Sequence, residues 1–223
     1  MPSPASGQAA DLPQIMVDNF EGETPGAWPS NWRFLSSKDQ RFRSLDRYMA
    51  DDEKFYIEQE GGNSFLRAYT ASEAQRITMG NDEDFGLDWR FDAHARIAWD
   101  WRARKLPVGA NEREVNDTGG ALYVTFSTDW LGRPRSIKYT YSSSLPVGTV
   151  VSFGRQLKVI VVASATDGFG DWVHIERNVV EDYRLAFGGK EPPSRPLSIT
   201  LWSDSDDTRS EAEVDFDNIV LLP

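Results

Sequence analysis

The chain has 223 residues, of which 39% are hydrophobic and 12% aromatic, so it can bury a substantial core and cannot be wholly disordered. Its 35 acidic and 24 basic residues give a formal net charge of -11, which argues against a nucleic-acid partner and against an anionic membrane surface. The absence of cysteine excludes disulfides and thiolate zinc sites. No apolar run of about 18 residues is present, so no transmembrane segment is predicted.

The chain start is predicted to be a flexible leader, residues 1–13, with the sequence MPSPASGQAADLP. No positively charged segment followed by an apolar stretch occurs there, so no signal peptide is recognised in this chain. The remaining length would suit one β-sandwich or two small domains, and no linker divides it. We therefore predict a single β-sandwich domain over residues 14–223.

Short segments with alternating apolar and polar residues recur along the chain, separated by clusters of Gly, Pro, Asn and Asp. This pattern predicts an all-β fold, a single antiparallel sandwich of the jelly-roll type. In the longest predicted strand, Trp99 and Trp101 face the core while His94 and Arg102 face outward. The predicted strands are 15–20, 54–59, 64–69, 74–79, 91–104, 120–128, 135–142, 156–163, 171–177, 196–202 and 212–222.

One short helix is predicted near 179–187, VVEDYRLAF. Val179 and Tyr183 share one helical stripe, and Asn178 occupies the N-cap position, where an amide side chain accepts from the first free backbone N–H groups. Gly188 and Gly189 follow the segment, as expected where a helix ends in a left-handed residue.

Three strings carry a family resemblance: AWDWRARKLPVGANEREVNDTGGALYVTF at 98–126, RNVVEDYRLAFG at 177–188 and SDSDDT at 203–208. In this order and spacing they resemble a bacterial exported family, domain of unknown function 3047, over about residues 97–222. The resemblance implies a β-rich domain without known chemistry. Two interpretations of the three motifs are open. Either they come together in one polar cluster, or each motif only stabilises its own turn or helix cap. The positions concerned are Asn116, Asp117, Arg177, Asn178, Asp182, Asp204 and Asp206.

The loop SDSDDT also places Asp204, Asp206 and Asp207 close together in sequence. Alternating carboxylates suit a hard cation, because Ca²⁺ takes six to eight oxygen ligands. The loop lacks the Gly and Glu that complete a helix–loop–helix calcium site. The alternative is an acidic, solvated turn held by side-chain to backbone hydrogen bonds.

The two chain ends show a second likeness. VDNFEG at 17–22 and FDNIVLL at 216–222 resemble the first and last strands of jelly-roll carbohydrate-binding sandwiches. The resemblance implies that these strands are adjacent and that Asp18, Glu21 and Asp217 hold a structural calcium ion. Otherwise they are ordinary neighbouring strands with outward polar residues.

Loop tryptophans are the candidates for sugar binding. Trp28 and Trp32 lie in TPGAWPSNWRF, and Trp130 lies in the turn STDWLGRP. Aromatic rings in loops stack on the C–H faces of sugars. Alternatively, Trp28 or Trp32 closes the open end of the core, and this interpretation is favoured for Trp32. Trp130 is the best candidate for an exposed ring.

Enzyme motifs are absent. Glycoside hydrolysis needs two opposed carboxyl groups, one protonated and one ionised. The pairs Glu112 with Glu114 and Asp82 with Asp84 fall in predicted loops, without apolar surroundings that would raise a carboxyl pKa. Both histidines fall on predicted strands, and no nucleophile elbow, zinc helix or phosphate loop occurs.

The sequence therefore predicts a non-catalytic, exported or periplasmic binding or interaction module that binds a glycan or a protein partner. A structural calcium ion is the only cofactor suggested. One alternative is an accessory structural subunit that docks onto a larger extracytoplasmic or membrane-associated complex, which predicts an apolar outer face rimmed by charges. The other is a glycoside hydrolase, which predicts a cleft with opposed carboxyl groups. A groove lined by the loop tryptophans would favour the binding module.

Overall fold

The computed structural model describes residues 12–49 and 54–223. Two six-stranded sheets pack face to face, accompanied by a two-stranded ribbon and one α-helix, so the predicted all-β, jelly-roll-like sandwich is confirmed. Within the described ranges no helix is long and apolar enough to cross a membrane. The elements in chain order are β1 Ile15–Asp18, β2 Phe34–Leu35, β3 Phe42–Arg43, β4 Lys54–Glu60, β5 Asn63–Ala71, β6 Ala74–Gly80, β7 Arg96–Lys105, β8 Thr118–Thr128, β9 Pro134–Ser142, β10 Val150–Phe153, β11 Leu157–Ser164, β12 Val173–Asn178, α1 Val179–Ala186, β13 Ser198–Asp204 and β14 Glu211–Leu222.

The first sheet has the strand order β12-β7-β14-β5-β4. Its central strand β14 is the longest in the molecule, and it pairs along one edge with β7 and along the other first with β5 and then with β1. All of these pairings are antiparallel. The expected adjacency of the first and last strands is therefore present.

The second sheet has the order β10-β11-β9-β8-β13-β6. β9 and β11 pair in parallel, whereas the other neighbours in this sheet are antiparallel. The sheet is therefore mixed, whereas the sequence predicts purely antiparallel pairing. The exception arises because the edge strand β10 forms a hairpin with β11, and β11 inserts between β10 and β9. The short strands β2, β3 and β10 were not predicted.

Aromatic side chains dominate the core between the sheets. Trp99 and Trp101 on β7 are fully buried, with their ring centroids 5.4 Å apart in an edge-to-face arrangement. Trp99 contacts Tyr139 and Trp101 contacts Tyr141, both on β9 of the opposite sheet. Side chains that alternate with these rings point to the outer faces of the two sheets, where polar clusters form.

Strand β7 starts at Arg96, five residues later than predicted, because the preceding segment turns under the core. His94 therefore lies in a turn and not on a strand, and its ring Nε2 is 2.8 Å from the carbonyl oxygen of Pro13. Residues 1–11 of the predicted leader lie outside the described residues.

Helix α1 confirms the predicted helix and its N-cap. The side chain of Asn178 accepts a hydrogen bond from the backbone N–H of Glu181 at 3.1 Å. Gly189, at φ 77°, donates its backbone N–H to Arg184 and ends the helix in the left-handed conformation. Tyr183 packs on Phe126 of β8 at 4.6 Å between centroids, which anchors the helix to the core.

Candidate functional site

Two of the three family motifs meet on the outer face of the second sheet, where β8 begins and β13 ends. Asp117, in the Asn-Asp turn, is buried and accepts hydrogen bonds from the backbone N–H and hydroxyl of Thr208 at 2.8 and 2.6 Å. The backbone N–H of Asp207 also donates to Asp117, at 3.3 Å. The Asn-Asp turn is thus tied directly to the acidic loop, although about 90 residues separate them in sequence.

Asp117, Asp206 and Asp207 form what we call the acidic cluster, because one carboxylate oxygen from each lies within 4.8 Å of the others. Asp117 is buried, and the other two are exposed. Asp204 borders the cluster with its side chain only 9% exposed, and its Oδ1 has no hydrogen-bond partner among the described residues. Burial raises the pKa of the Asp204 carboxyl to about 7, the charge of Lys138 opposes this rise, and neighbouring carboxylates add to it.

Lys138 on β9 supplies a positive charge beneath this region. Its ammonium is fully buried and donates to the backbone and side-chain oxygens of Asn116, at 3.1 and 3.0 Å. Burial lowers the pKa of Lys138 to about 8, while nearby carboxylates, Asp204 foremost, oppose the shift. A buried lysine held by neutral oxygens is costly unless negative charge lies close by.

Glu112 is one of the surrounding acids, and its burial corrects the sequence interpretation. It was expected in a polar loop, but it is fully buried and accepts from the hydroxyl groups of Ser142 and Thr140, at 2.6 and 3.3 Å. The loop between β7 and β8 folds over the outer face of the second sheet, which removes this carboxylate from solvent.

The third motif lies elsewhere, so of the two open interpretations the one in which all three motifs converge on one polar cluster does not hold. Arg177 donates from Nε to Asp182 at 2.9 Å, and the hydroxyl of Tyr139 donates to the same carboxylate oxygen at 2.9 Å. Asn178 caps α1. These residues fasten the helix to the second sheet. Their contact with a ligand stays a prediction.

A cavity of about 570 Å³ adjoins this third motif, and Arg177 and Asp182 form part of its lining. Val150 and Leu185 are exposed at the cavity, Leu185 by 83%. Apolar side chains rimmed by charges are the feature that the docking alternative predicts.

A second polar site lies on the outer face of the first sheet, in a cavity of about 290 Å³ that we call the sheet-1 cleft. The ring of Trp172 is 38% exposed and meets Phe65 edge-on at 5.4 Å. The guanidinium of Arg102 lies 4.8 Å from the centroid of Trp172 and forms ion pairs with Glu60 and Asp215. The cleft is lined by Glu60, Asn63, Phe65, Asp100, Trp172, Asp217 and Asn218.

Two carboxyl groups of the cleft face each other across strands, since Asp100 on β7 pairs with Asp217 on β14. Asp217 is only 3% exposed and accepts from the side-chain amide of Asn63 at 2.9 Å and the backbone N–H of Asn218 at 2.7 Å. Burial raises the pKa of Asp217 to about 6, and the charge of Asp100 contributes. The oxygens of Asp100 contact His174 Nδ1 at 2.6 Å and Asn218 Nδ2 at 2.9 Å.

Backbone geometry explains how Asn218 reaches this site. It adopts φ 49°, a left-handed conformation that asparagine tolerates better than most residues, at an irregularity in the pairing of β14 with β7. The distortion turns its amide group toward Asp100. The cleft thereby joins amide donors, carboxylate acceptors and the two aromatic rings of Phe65 and Trp172 around a single small volume.

The loop tryptophans have three different environments. Trp32 is fully buried and donates from Nε1 to Asp18 at 2.9 Å, as the favoured interpretation that it closes the core predicts, so its ring is not free to stack on a ligand. It is buried because the next residue, Arg33, bridges to β6 and draws the loop onto the second sheet. Trp28 is partly buried against the core, and Trp130 is 88% exposed in the β8–β9 turn. None of them lines either cavity described above.

The three carboxylates predicted to hold calcium at the chain ends, those of Asp18, Glu21 and Asp217, are not grouped within 4.8 Å of one another in the described part of the chain. Asp18 is occupied by the Trp32 indole and the backbone N–H of Phe20, and Glu21 accepts from the backbone N–H of Ser64 at 3.0 Å. Asp217 is held by amide donors in the sheet-1 cleft. Over residues 12–49 and 54–223, the acidic cluster is the one trio of acidic or histidine side chains whose ligand atoms lie within 4.8 Å.

Sequence reasoning missed most of the cleft, namely Asn63, Asp100, Trp172 and Asn218. Asp100 was recognised only as an outward residue between two core tryptophans. Its hydrogen-bond partners His174 and Asn218 come from β12 and β14, and alternation within one strand does not reveal which strands are neighbours.

The family comparison agrees with the motifs. The family model described as "Protein of unknown function (DUF3047)" matches residues 42–220, which include all three strings, the acidic cluster and every residue that lines the sheet-1 cleft. The chain belongs to the DUF3047 family. No curated protein matches the sequence significantly.

Solved structures similar to this DUF3047 chain include carbohydrate-binding modules. The family 11 module of the cellulase Lic26A-Cel5E of Clostridium thermocellum is 12% identical, with 96% of each chain covered and a TM-score of 0.43. Module CBM27-1 of Caldicellulosiruptor saccharolyticus, solved with mannohexaose, is 10% identical, with 95% of this chain and 98% of that chain covered and a TM-score of 0.45. Likenesses at this level carry no argument about a ligand.

Proposed function

We propose that this protein is a non-catalytic carbohydrate-binding module and that it binds a sugar residue in the sheet-1 cleft. The observation that carries the proposal is the partly exposed ring of Trp172 beside amide and carboxylate groups around one cavity. Sugars present C–H faces to aromatic rings and hydroxyl groups to planar polar side chains. The cleft offers both kinds of contact.

The size and charge of the cleft define the ligand further. A volume of about 290 Å³ suits one sugar ring and not a buried oligosaccharide. Asp100 and Asp217 line it, while the charge of Arg102 is already paired with Glu60 and Asp215. Excess acceptors favour a ligand rich in hydroxyl donors, so a neutral sugar is preferred to an acidic one.

The test is a thermal-melt screen against neutral soluble polysaccharides, because a ligand that binds only the native state raises its melting temperature. Trp172→Ala removes the ring of the cleft, and Trp130→Ala is the matched control on an exposed turn. We expect a ligand shift in the parent protein and in Trp130→Ala, and none in Trp172→Ala. A shift that requires Trp130 and not Trp172 would place the sugar elsewhere. No shift with any polysaccharide would transfer the assignment to protein docking.

Glycoside hydrolysis is the second candidate, favoured by the opposed pair Asp100 and Asp217 and the raised pKa of Asp217. Glycosidases require two carboxyl groups on either side of the scissile bond, one of them with a raised pKa. However, the oxygens of Asp100 are engaged by His174 and Asn218, which favours binding over chemistry. Reducing-sugar release from a bound polysaccharide that disappears in Asp217→Asn would establish hydrolysis. Binding without release supports the module.

We also propose that the acidic cluster binds one calcium ion. Three carboxylates already converge there, and the unpartnered Oδ1 of Asp204 borders them. Oxygen ligands of this kind suit Ca²⁺. Calcium is expected to raise the melting temperature of the parent and of Asp217→Asn, but not of Asp206→Asn combined with Asp207→Asn. Equal calcium shifts in all three proteins would refute this site.

We propose an exported, periplasmic location for the module. The support is the resemblance to an exported family and a ligand class that occurs outside the cytoplasm. Fractionation of the source cells, with detection of the protein by antibody, is expected to recover it outside the cytoplasmic fraction. Recovery with a cytoplasmic marker would contradict the proposal.

A further inference from the structure

Three hydrogen-bond donors that have no acceptor among the described residues lie together on the outer face of the second sheet. Arg76 on β6 and Trp202 on β13 are direct cross-strand partners, and the guanidinium carbon lies 4.7 Å from the centroid of the indole ring. The ring of Tyr123 on β8 lies 5.3 Å from that of Trp202. The three side chains therefore form one continuous group across three adjacent strands, which we call the donor face.

Arg76 is the least satisfied member of this group. It is half-buried, yet it makes no hydrogen bond or ion pair with any residue in the described ranges, and burial lowers the pKa of its guanidinium. Arg67 and Arg102, by contrast, both pair with Asp215, and Arg177 pairs with Asp182. Removing a guanidinium from water without a counter-ion is costly, so this exception calls for an external partner.

Trp202 and Tyr123 strengthen this requirement. The Trp202 Nε1 is buried and has no acceptor among the described residues. The hydroxyl of Tyr123 likewise makes no hydrogen bond within those ranges. Buried polar groups in folded proteins are almost always paired, and each exception requires an explanation. All three unpaired groups are donors, so the missing partner is an acceptor.

We propose that Arg76, Trp202 and Tyr123 bind an oxyanion, namely a carboxylate, sulfate or phosphate group of a ligand. The guanidinium fork is suited to two parallel hydrogen bonds with such a group, and charge-assisted bonds of this kind are the strongest that a surface site forms. This site is independent of the proposed sugar cleft, which lies on the opposite sheet.

The charges around the donor face limit which anions can bind there. Burial raises the pKa of the Tyr123 hydroxyl, and the nearby charge of Asp204 raises it further. Lys138 partly balances the charge of Asp204. The net charge of -11 repels a polyanion at long range. A single anionic group on a small or largely neutral ligand fits these constraints, and its binding weakens with added salt.

The experiment follows the indole N–H signals of uniformly ¹⁵N-labelled protein during titration at constant ionic strength. The probes are glucuronate, sulfate and phosphate, with glucose as the neutral control, and Trp202→Phe assigns the reporting signal. We expect the Trp202 signal to move saturably with at least one anion and not with glucose. Response to glucuronate alone identifies a carboxylate ligand, and response to all three identifies a general oxyanion site.

Substitution of Arg76 tests the mechanism. Arg76→Gln is expected to weaken binding at least about tenfold, as loss of a hydrogen bond to a charged group implies. Arg76→Lys keeps the charge but not the forked geometry, so its affinity should lie between those of the parent and Arg76→Gln. Arg90→Gln, at an exposed arginine, should bind with the affinity of the parent. Trp172→Ala should leave the response intact, so failure here is separable from failure of the sugar cleft. No saturable response to any anion, or equal affinity in Arg76→Gln, would overturn the proposal.

Discussion

Replacing Asp217 with Asn should stabilise the protein in a pH-dependent way. The pKa of Asp217 is raised from 3.8 to about 6, chiefly by burial. Because the folded state holds this proton more tightly than the unfolded state, the carboxyl lowers stability progressively as pH rises from about 4 through 6. An amide cannot ionise, so Asp217→Asn removes the penalty above this window.

The magnitude follows from the shift. About two pKa units correspond to about 3 kcal/mol. The carboxyl lines an open cleft where solvent screens its charge, so we expect about 1 to 2 kcal/mol of added stability at pH 8. At pH 4 the folded-state carboxyl is already protonated, and the variant should differ from the parent by less than about 0.5 kcal/mol.

Denaturant unfolding at pH 4 and pH 8 gives both values, provided that the slope with denaturant is unchanged by the substitution. Asp92→Asn, on an exposed carboxyl, is the control and should show no pH-dependent gain. Equal effects of Asp217→Asn at the two pH values, or destabilisation at pH 8, would show that folding does not raise the pKa of Asp217.

Three further predictions concern stability. Trp101→Ala should lower the free energy of unfolding by about 3 to 5 kcal/mol, because a fully buried ring leaves a cavity beside Trp99 and Tyr141. Trp130→Ala should change it by less than about 0.5 kcal/mol, since the ring is exposed. Equal melting temperatures for these two variants would contradict the strand assignment. Asn178→Ala should lower the free energy of unfolding, measured in urea, by about 1 kcal/mol through loss of the helix cap. Asn178→Asp should keep most of the stability that the cap provides.

Local features of the fold could be predicted because they depend on neighbours in sequence. The alternation around Trp99 and Trp101 fixes which face of β7 is buried. The cap at Asn178 and the left-handed Gly189 define a helix within one short segment. Each of these depends on backbone geometry within a few residues, which composition and spacing record.

Features that depend on how distant segments meet could not be predicted. The pairing of Arg33 with β6, which draws the loop of Trp32 onto the second sheet, is one such feature. The folding of the Glu112 loop over Ser142 is another. Strand order decides both cases, and alternation within a strand is the same whatever its neighbour.

The candidate sites show the same division. The motif positions Asp117 and Asp206 could be selected from sequence, and the structure brings them together. The third motif looked equivalent, yet Asp182 serves the helix anchor through Tyr139. No sequence pattern indicated Arg76, because its lack of a counter-ion among the described residues is a property of its three-dimensional surroundings.

Binding of a neutral sugar in the sheet-1 cleft through Trp172 can be measured by isothermal titration of a polysaccharide-derived oligosaccharide into the parent, Trp172→Ala and Trp130→Ala. We expect saturable binding by the parent, unchanged affinity in Trp130→Ala and loss of measurable binding in Trp172→Ala, with all three proteins folded by circular dichroism. Unchanged affinity in Trp172→Ala would contradict binding through Trp172.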